Sequence, residues 1–413
     1  MREGKEGRGG FEGLDACVHC GFCLQACPTF LATGDEADSP RGRIELMRAL
    51  ERGELTASDP ALAYHLDRCL GCRGCEPVCP SGVQYGIGLE AARQRIAEAR
   101  GVSRLARLAL WALTSPRVSR VVYWFARGFR ATGIPRRLAG WGRFRFAMGM
   151  LAATQGGERR TTARKVLSPP SPALLFRGCV QQGLFSHVHD ATVRALGVNG
   201  YQVGEVKGQV CCGALHAHAG LLEEARALAR VNVAAFGEGD EPIVVNSAGC
   251  GALMKEYGHL LGHEQGERFG ARVRDVTELL AGDAMRGPIG GAPLDMHVAY
   301  DPPCHLLHAQ GVAEPPLRLF AAIPLLELVP VPGAAECCGS AGLFTLLEPE
   351  MSRAVLAAKI ERLRETAPQV VATGNPGCQM QIGAGLAAAG VATRVRHPVE
   401  LLDDAYRAAG RYE

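Results

Sequence analysis

Short apolar runs alternate with amphipathic stretches along the second half of this 413-residue chain. Residues 243–246 and 370–373 are short, apolar and rich in branched side chains, which is typical of buried strands. Residues 221–236 and 349–363 instead have the apolar periodicity of helices. A short strand followed by an amphipathic helix is the pattern of a parallel α/β unit. The second half of the chain is therefore predicted to be α/β.

The first half has a different pattern. Ser39 can cap a helix that begins at Pro40, and Ile44, Met47 and Leu50 then lie on one helix face. Residues 105–129 are the nearest candidate for a membrane span, but four arginines and a proline interrupt them, so no transmembrane helix is predicted.

The length suits two or three domains, and the net charge of +3 is nearly balanced. The 16 cysteines change the picture, because few intracellular chains carry so many. The first 13 residues are charged and glycine-rich, which predicts a cytoplasmic protein and not a secreted one. In a reducing compartment, cysteines are more often metal ligands or redox centres than disulfides.

Eight of the cysteines form two runs, each spaced C-x2-C-x2-C-x3-C and followed by proline, as in bacterial two-cluster ferredoxins. Three close thiolates can reach one cubane cluster, whereas the fourth points toward the other cluster. One [4Fe-4S] cluster is therefore assigned to Cys17, Cys20, Cys23 and Cys79, and the other to Cys69, Cys72, Cys75 and Cys27. A zinc site is the alternative, but it typically needs only four ligands arranged as two pairs.

The other eight cysteines form two similar sets, offset from one another by 125 to 128 residues. This spacing predicts a tandem duplication, with the cysteines in loops that converge at one edge of each sheet. Gly213 and Gly339 follow the adjacent cysteine pairs and permit a sharp turn. The two sets are Cys179, Cys211, Cys212 and Cys250, and Cys304, Cys337, Cys338 and Cys378.

These motifs, above all residues 17–31, 33–51 and 65–86, resemble the iron–sulfur subunit of bacterial glycolate oxidase (glycolate dehydrogenase) over nearly the whole chain. The resemblance implies a multidomain α + α/β fold, with a helical two-cluster ferredoxin domain and two tandem α/β cysteine-rich (CCG) domains. The expected limits are 8–98 for the ferredoxin domain, 99–172 for a helical linker, and 173–283 and 294–406 for the CCG domains.

The resemblance also implies a function. The chain would carry electrons within a complex that oxidises glycolate, or D-lactate, with FAD and substrate on partner subunits and a quinone or another carrier as acceptor. No catalytic residue is assigned to this chain. The GxGxxA match at residues 383–388 is interpreted as a small-residue helix and not as a dinucleotide site. The alternatives are a subunit of another flavoprotein dehydrogenase, of the glycerol-3-phosphate type, and a heterodisulfide-reductase-like enzyme.

The cofactor of the CCG domains stays open at this stage. Heterodisulfide reductase subunits carry a fifth cysteine in each copy, where this chain has Leu253 and Gln381. Four thiolates still suffice for an iron–sulfur cluster, but zinc, a partner-binding role or a scaffold without metal are alternatives. The nearby histidines are interpreted as loop caps or rim residues, with metal ligation or proton transfer as the alternative. They are His187, His189, His216, His218, His305 and His308.

The expected linker is strongly basic. No Asp or Glu occurs between Ala99 and Gly157, whereas eleven arginines and all three tryptophans, Trp111, Trp124 and Trp141, lie there. Arginine among aromatic residues favours peripheral contact with anionic lipid on the inner face of the cytoplasmic membrane, or with an acidic partner subunit. The alternative is a plain connector, and the cluster motifs argue against nucleic acid as a partner.

Overall fold

The computed structural model describes residues 10–139, 144–154, 170–282 and 288–412. Residues 8 and 9, at the expected start of the first domain, lie outside these ranges, as do Trp141 and residues 155–169 of the expected linker and residue 283 at the expected end of the first CCG domain. The described residues form a helical N-terminal domain, a set of linker helices and two α/β repeats. The multidomain α + α/β fold class is confirmed.

The N-terminal domain packs its three longer helices around one apolar core that includes Phe11, Leu14, Met47 and Leu66. As predicted, Ser39 caps α2, since its Oγ accepts a hydrogen bond from the Gly42 amide at 3.0 Å. The helices are α1 (Pro28–Thr33), α2 (Pro40–Glu51), α3 (Pro60–Asp67) and α4 (Tyr85–Arg100), with short 3-10 turns at Glu12–Leu14 and Glu36–Asp38.

The linker helices follow without a strand among their described residues. They are α5 (Arg104–Thr114), α6 (Pro116–Ala131), α7 (Ile134–Leu138) and α8 (Arg145–Ala153). Helix α8 docks on a helix of the second repeat: a Cβ added at Gly149 would lie 3.0 Å from the Ala384 Cα, and one at Gly383 would lie 2.4 Å from the Ala153 Cβ. The linker is therefore anchored by close packing of small residues.

The first repeat is a four-stranded parallel sheet in the order β2-β1-β3-β4. Its strands are β1 (Ser171–Leu175), β2 (Tyr201–Glu205), β3 (Ile243–Val245) and β4 (Val273–Asp275). Its helices are α9 (Val180–Leu184), α10 (Ser186–Val198), α11 (Ala214–His218), α12 (Leu222–Phe236), α13 (Ala248–Lys255), α14 (Tyr257–Leu261), α15 (Glu264–Arg272) and α16 (Val276–Ala281).

The second repeat has the same parallel strand order, β6-β5-β7-β8. Its strands are β5 (Met296–Tyr300), β6 (Leu326–Leu328), β7 (Val370–Ala372) and β8 (Arg394–Arg396). Its helices are a π-helical turn at His305–Ala309, α17 (Glu314–Ala321), α18 (Phe344–Leu347), α19 (Pro349–Thr366), α20 (Pro376–Ala388) and α21 (Pro398–Ala408). Residues 383–388 lie in α20, as the small-residue interpretation predicted.

The two repeats pack as a pseudo-symmetric pair. Helix α10 of the first repeat packs on α21 of the second, and α16 packs on α17, which is the same contact with the roles of the repeats exchanged. One apolar core runs through both repeats and includes Val188, Val276, Leu319 and Val399. The α10–α21 contact also contains a buried pair, in which the Arg194 guanidinium donates to both Asp403 carboxylate oxygens at 2.8 and 2.7 Å.

Candidate functional site

The two N-terminal cysteine runs fold as similar turns. His19 and Gly21 in the first run, and Gly71 and Arg73 in the second, all have positive φ, between 57° and 88°. A non-glycine residue is uncommon in this conformation, so His19 and Arg73 mark strained turns. These turns reverse the backbone between successive cysteines and thereby bring their thiols to one side.

Each group of four thiols assigned from the spacing surrounds a small cavity. The first cavity is lined by Cys17, Cys20, Cys23 and Cys79, together with Cys75. The second is lined by Cys27, Cys69, Cys72 and Cys75. The first cavity thus takes three thiols from the first run and two from the second, whereas the second cavity takes three from the second run and one from the first. Cys75 borders both cavities.

These donor sets fit iron–sulfur clusters, because all-thiolate coordination is what such clusters use. Burial raises the pKa of the free Cys27 thiol and raises that of Cys75 well above its usual value. Binding of iron would therefore have to release protons from these thiols, so that assembly of the second cluster is expected to depend on pH.

Polar groups approach the thiols of the second cavity. The Tyr85 hydroxyl donates to the Cys69 sulfur at 3.4 Å, and the Gly71 amide approaches the same sulfur at 3.5 Å. The Thr29 hydroxyl lies 3.2 Å from the Cys27 sulfur and accepts a hydrogen bond from Arg43 at 2.9 Å. Hydrogen bonds to ligand sulfurs, and a buried cation behind them, favour the reduced form of a cluster.

A buried carboxylate fixes that cation. Asp38 is fully buried. Its carboxylate accepts hydrogen bonds from the guanidinium groups of Arg43 at 3.2 Å and Arg68 at 3.0 Å. The Nδ1 atom of His65 lies 3.0 Å from the same carboxylate. Asp35, Asp38 and His65 also lie close enough together to hold a metal ion. The arginines already neutralise Asp38, so this group is structural.

The repeats hold the other eight cysteines at the carboxyl ends of their strands, as predicted. In the first repeat the sulfurs of Cys179 and Cys211 are 3.4 Å apart, and Cys212 contacts Cys250. In the second, the sulfur distances are 3.9 Å for Cys304–Cys337 and 3.2 Å for Cys338–Cys378. Each set of four is therefore gathered at one place.

The backbone around these cysteines turns as predicted, but two of the cysteines lie in helices. Gly213 and Gly339 have φ values of 92° and 82°, so the expected sharp turns are present. Cys250 and Cys378 lie in the first turns of α13 and α20, although loops were expected, because each helix begins directly after its strand.

The first cysteine set is surrounded by unpaired polar atoms. Tyr123 reaches it from α6, and its buried hydroxyl has no hydrogen-bond partner. Both polar atoms of the Gln181 side chain and the Nδ1 atom of His216 are likewise buried and unpaired. Native proteins rarely bury such atoms unpaired, so these point to a group bound among the thiols. The residues present fit a cluster or a metal ion at this place.

The second cysteine set lies beside an ion pair. Lys359 is buried and donates to Asp301, and also to the Ala334 carbonyl at 2.9 Å. Thr373 donates to the other Asp301 oxygen at 3.2 Å. The largest influence on the Asp301 carboxyl is burial, which raises its pKa to about 6, although Lys359 opposes this shift. A charged pair therefore stands where the first repeat has none.

The second set also touches the N-terminal domain. The Cys72 thiol, which borders the second cavity, is within hydrogen-bonding reach of Cys337. Leu70, Cys304, Cys337 and Phe344 form one apolar cluster with Cys72 at its edge. The structure thus places the second cysteine set directly against the second cavity, a proximity that no spacing in the sequence could reveal.

The first repeat contacts the N-terminal domain through polar groups instead. Arg73 pairs with Glu256 and, at 2.7 Å, with Glu76. Arg93 donates to the His218 carbonyl at 3.3 Å and to the Cys69 carbonyl at 2.6 Å. The N-terminal domain therefore contacts both repeats.

The histidines are more buried than expected. His189 is buried, with its Nε2 atom 2.9 Å from the Arg177 carbonyl oxygen, and His218 stacks on His305 with ring centroids 5.3 Å apart. Burial lowers the pKa of His189 to about 4 and that of His218 to about 3, so both rings are neutral. His308 lies 3.1 Å from the Ala335 carbonyl oxygen. His187 is half-buried. Of the six histidines, His216 is the one with a buried ring nitrogen that has no hydrogen-bond partner in the described part of the chain.

The linker leaves an apolar face uncovered. Trp111, Trp124 and Phe125 are 56%, 64% and 63% exposed on α5 and α6. Within the described part of the chain, no helix is long and apolar enough to cross a membrane.

Comparison with known proteins matches the same regions. Residues 13–83 match the family model of the 4Fe-4S dicluster domain, and residues 173–255 and 298–383 each match the cysteine-rich domain. The two cluster motifs and the duplication are thereby confirmed. Two 4Fe-4S clusters are the cofactors that this N-terminal family binds.

Full-length relatives agree. The chain is 32% identical to the probable glycolate oxidase iron–sulfur subunit of Bacillus subtilis (strain 168) and 33% identical to the glycolate oxidase iron–sulfur subunit of Escherichia coli (strain K12). Each alignment covers 95% of this chain and 94% of the relative. Lactate utilization protein A of Geobacillus thermodenitrificans (strain NG80-2) is 31% identical over 55% of this chain. With these motifs, this fold and full-length similarity, the chain belongs to the family of glycolate oxidase iron–sulfur subunits.

Proposed function

We propose that this chain carries electrons from a FAD-containing dehydrogenase, which oxidises glycolate or D-lactate, to a quinone or another acceptor. The observation that carries the proposal is the pair of neighbouring cavities with crossed thiol sets, bordered jointly by Cys75. Iron–sulfur clusters bound there would supply one-electron transfer. Substrate oxidation is assigned to partner subunits. The relatives' names support a 2-hydroxy acid as the substrate of the complex.

The ligand sets belong to the proposal. Cys17, Cys20, Cys23 and Cys79 would hold one cluster, and Cys27, Cys69, Cys72 and Cys75 the other. The cysteine sets of the two repeats are further sites for a cluster or a metal ion. This chain's own contribution is to fix the two clusters side by side and to set their potentials through Tyr85, Thr29 and Arg43. We also propose the domain limits 8–98, 99–172, 173–283 and 294–406.

The test uses the complex with its flavoprotein. Cys23→Ser and Cys75→Ser should lower quinone reduction by glycolate or D-lactate more than about 100-fold, because each removes a cluster ligand from the path. Reduction of the flavin by substrate should persist. Val18→Ala, an exposed change between two cysteines of the same turn, is the matched control and should reduce quinone at the normal rate. Unchanged quinone reduction in both cysteine variants would overturn the proposal.

A membrane surface is the proposed location. The exposed aromatic face of α5 and α6 lies in a stretch with eleven arginines and no carboxylate, which complements anionic lipid. Trp124→Ala/Phe125→Ala should lower co-sedimentation with phosphatidylglycerol vesicles several-fold. Val231→Ala, an exposed change on α12, should leave it intact. Equal binding to phosphatidylcholine vesicles, or no vesicle binding at all, would contradict this location and leave the surface to a protein partner.

A further inference from the structure

A cavity of about 300 Å³ opens where the N-terminal domain, the linker and both repeats meet. Its walls come from α4, α5, α11 and α18, and the Cys69 side reaches toward the second thiol cavity. This volume is at the lower end of small-molecule pockets. We propose that the cavity binds the headgroup of a quinone and is where electrons leave the chain; this deepens the proposed function and rests on it.

The position gives access to electrons from two sides. Cys69, a proposed ligand of the second cluster, lines the cavity. Ala341 and Phe344 line another side and pack in the apolar cluster that contains Cys304 and Cys337. A molecule in the cavity would therefore contact residues that neighbour both the second cluster and the second cysteine set.

The walls suit an aromatic ring that carries oxygen atoms. Ile96, Leu215 and Phe344 supply apolar surface for the ring. Arg93 places a buried guanidinium beside it, and this charge favours a ligand that becomes more negative with each electron. Ala341, in the turn after the Cys337–Cys338 pair, has a φ of 37°, a strained conformation for a non-glycine residue.

The reaction balances without a further reactant. A quinone takes up two electrons and two protons and becomes a hydroquinone. The electrons arrive one at a time from the flavin, which the 2-hydroxy acid has reduced on the partner subunit. The protons come from solvent at the cavity mouth, where Asp67 and Ser103 are exposed and Glu348 is half-buried.

The outer surface next to the cavity suits a lipid-soluble acceptor. Val102 and Ala106 line the cavity at the start of α5, and Leu105, Leu108 and Trp111 of the same helix are exposed. If α5 lies on the membrane, a quinone need not cross water to reach the cavity. This arrangement favours a quinone over a water-soluble carrier protein, for which the cavity is too narrow.

The test uses the full chain with its clusters loaded and menadione as the probe. Val102→Trp and Leu347→Trp each fill the cavity from its rim, so either should weaken menadione binding at least 10-fold in titration calorimetry. Both should also slow the reoxidation of dithionite-reduced clusters by menadione. Leu346→Trp, an exposed position on α18 outside the cavity lining, is the matched control and should bind within twofold of the unaltered chain.

Two results would contradict quinone binding in the cavity. If the unaltered chain binds no menadione, or if both filling variants bind it normally, the proposal is overturned. Reduction of the clusters by the flavoprotein and glycolate is measured separately in Val102→Trp. When that step persists, the proposed electron-transfer function stands whatever the result for the cavity.

Discussion

Each of the two repeats contains a four-stranded parallel sheet with the same strand order. Each repeat holds four cysteines at the same edge of its own sheet. Around the first set lie Tyr123 from the linker and the unpaired side chains of Gln181 and His216. Around the second lie the Asp301–Lys359 pair and a thiol of the N-terminal domain, Cys72. The two copies of the repeat thus share their cysteines, whereas the residues around the two cysteine sets differ.

The divergence separates two roles. The second set adjoins the second thiol cavity, so a redox centre there could exchange electrons with the N-terminal clusters. The first set lies against Tyr123 of α6, and its repeat meets the N-terminal domain through contacts such as Arg73–Glu256 and the hydrogen bond from Arg93 to the His218 carbonyl. The same sheet edge therefore serves a site next to the second cavity in one copy and a site next to the linker in the other.

The largest expected effect concerns the ion pair of the second repeat. Lys359→Met leaves Asp301 buried without its cation, which should lower the free energy of unfolding by about 3–5 kcal/mol. Urea unfolding followed by circular dichroism measures this loss. Val233 lies half-buried on α12, the corresponding helix of the first repeat, and carries no charge, so Val233→Met should cost less than about 1.5 kcal/mol.

A double variant checks the cause. Asp301→Leu/Lys359→Met removes both charges and should recover most of the lost stability, because the penalty comes from the uncompensated carboxylate. If Lys359→Met and Val233→Met lowered the free energy of unfolding equally, the charge difference between the repeats would make no difference to stability.

Much of this architecture follows from sequence pattern. The crossed thiol sets follow from the spacing of the cysteine runs, and the helix capped by Ser39 follows from its local sequence. The parallel sheets follow from short apolar runs before glycine and helix. These features depend on neighbours along the chain. The contacts of Cys72 with Cys337 and of Tyr123 with the first set join residues far apart in sequence, and no local pattern encodes them.

The polar contact with the first repeat should respond to pH. Burial raises the pKa of Glu90 to about 7, and the neighbouring Glu256 adds to this shift. In an unfolded chain this carboxyl would ionise near pH 4.5, whereas in the folded chain it stays protonated to a higher pH. The folded state is therefore destabilised relative to the unfolded state as pH rises from about 5 to 7. Glu90→Gln cannot ionise, and its stability relative to the unaltered chain should increase over that range to about 2–3 kcal/mol by pH 8.

Parallel urea unfolding at pH 5, 6, 7 and 8 measures this difference. Glu98→Gln, on the exposed side of the same helix, is the matched control and should show no such trend. A constant difference between Glu90→Gln and the unaltered chain would mean that the carboxyl ionises in the folded state as easily as in water.

The smallest effect tests what fills the first set. An unpaired buried hydroxyl costs about 1–2 kcal/mol, so Tyr123→Phe should stabilise chains stripped of iron by this amount. In chains isolated with their metal, the hydroxyl would have a partner, and the same change should give no gain or a small loss. Tyr406→Phe is the control, since that hydroxyl already accepts a hydrogen bond from Asn199 at 2.9 Å and its loss should destabilise both forms. An equal gain for Tyr123→Phe in both forms would show that nothing binds beside Tyr123, and the cysteines of the first repeat would then be only a scaffold.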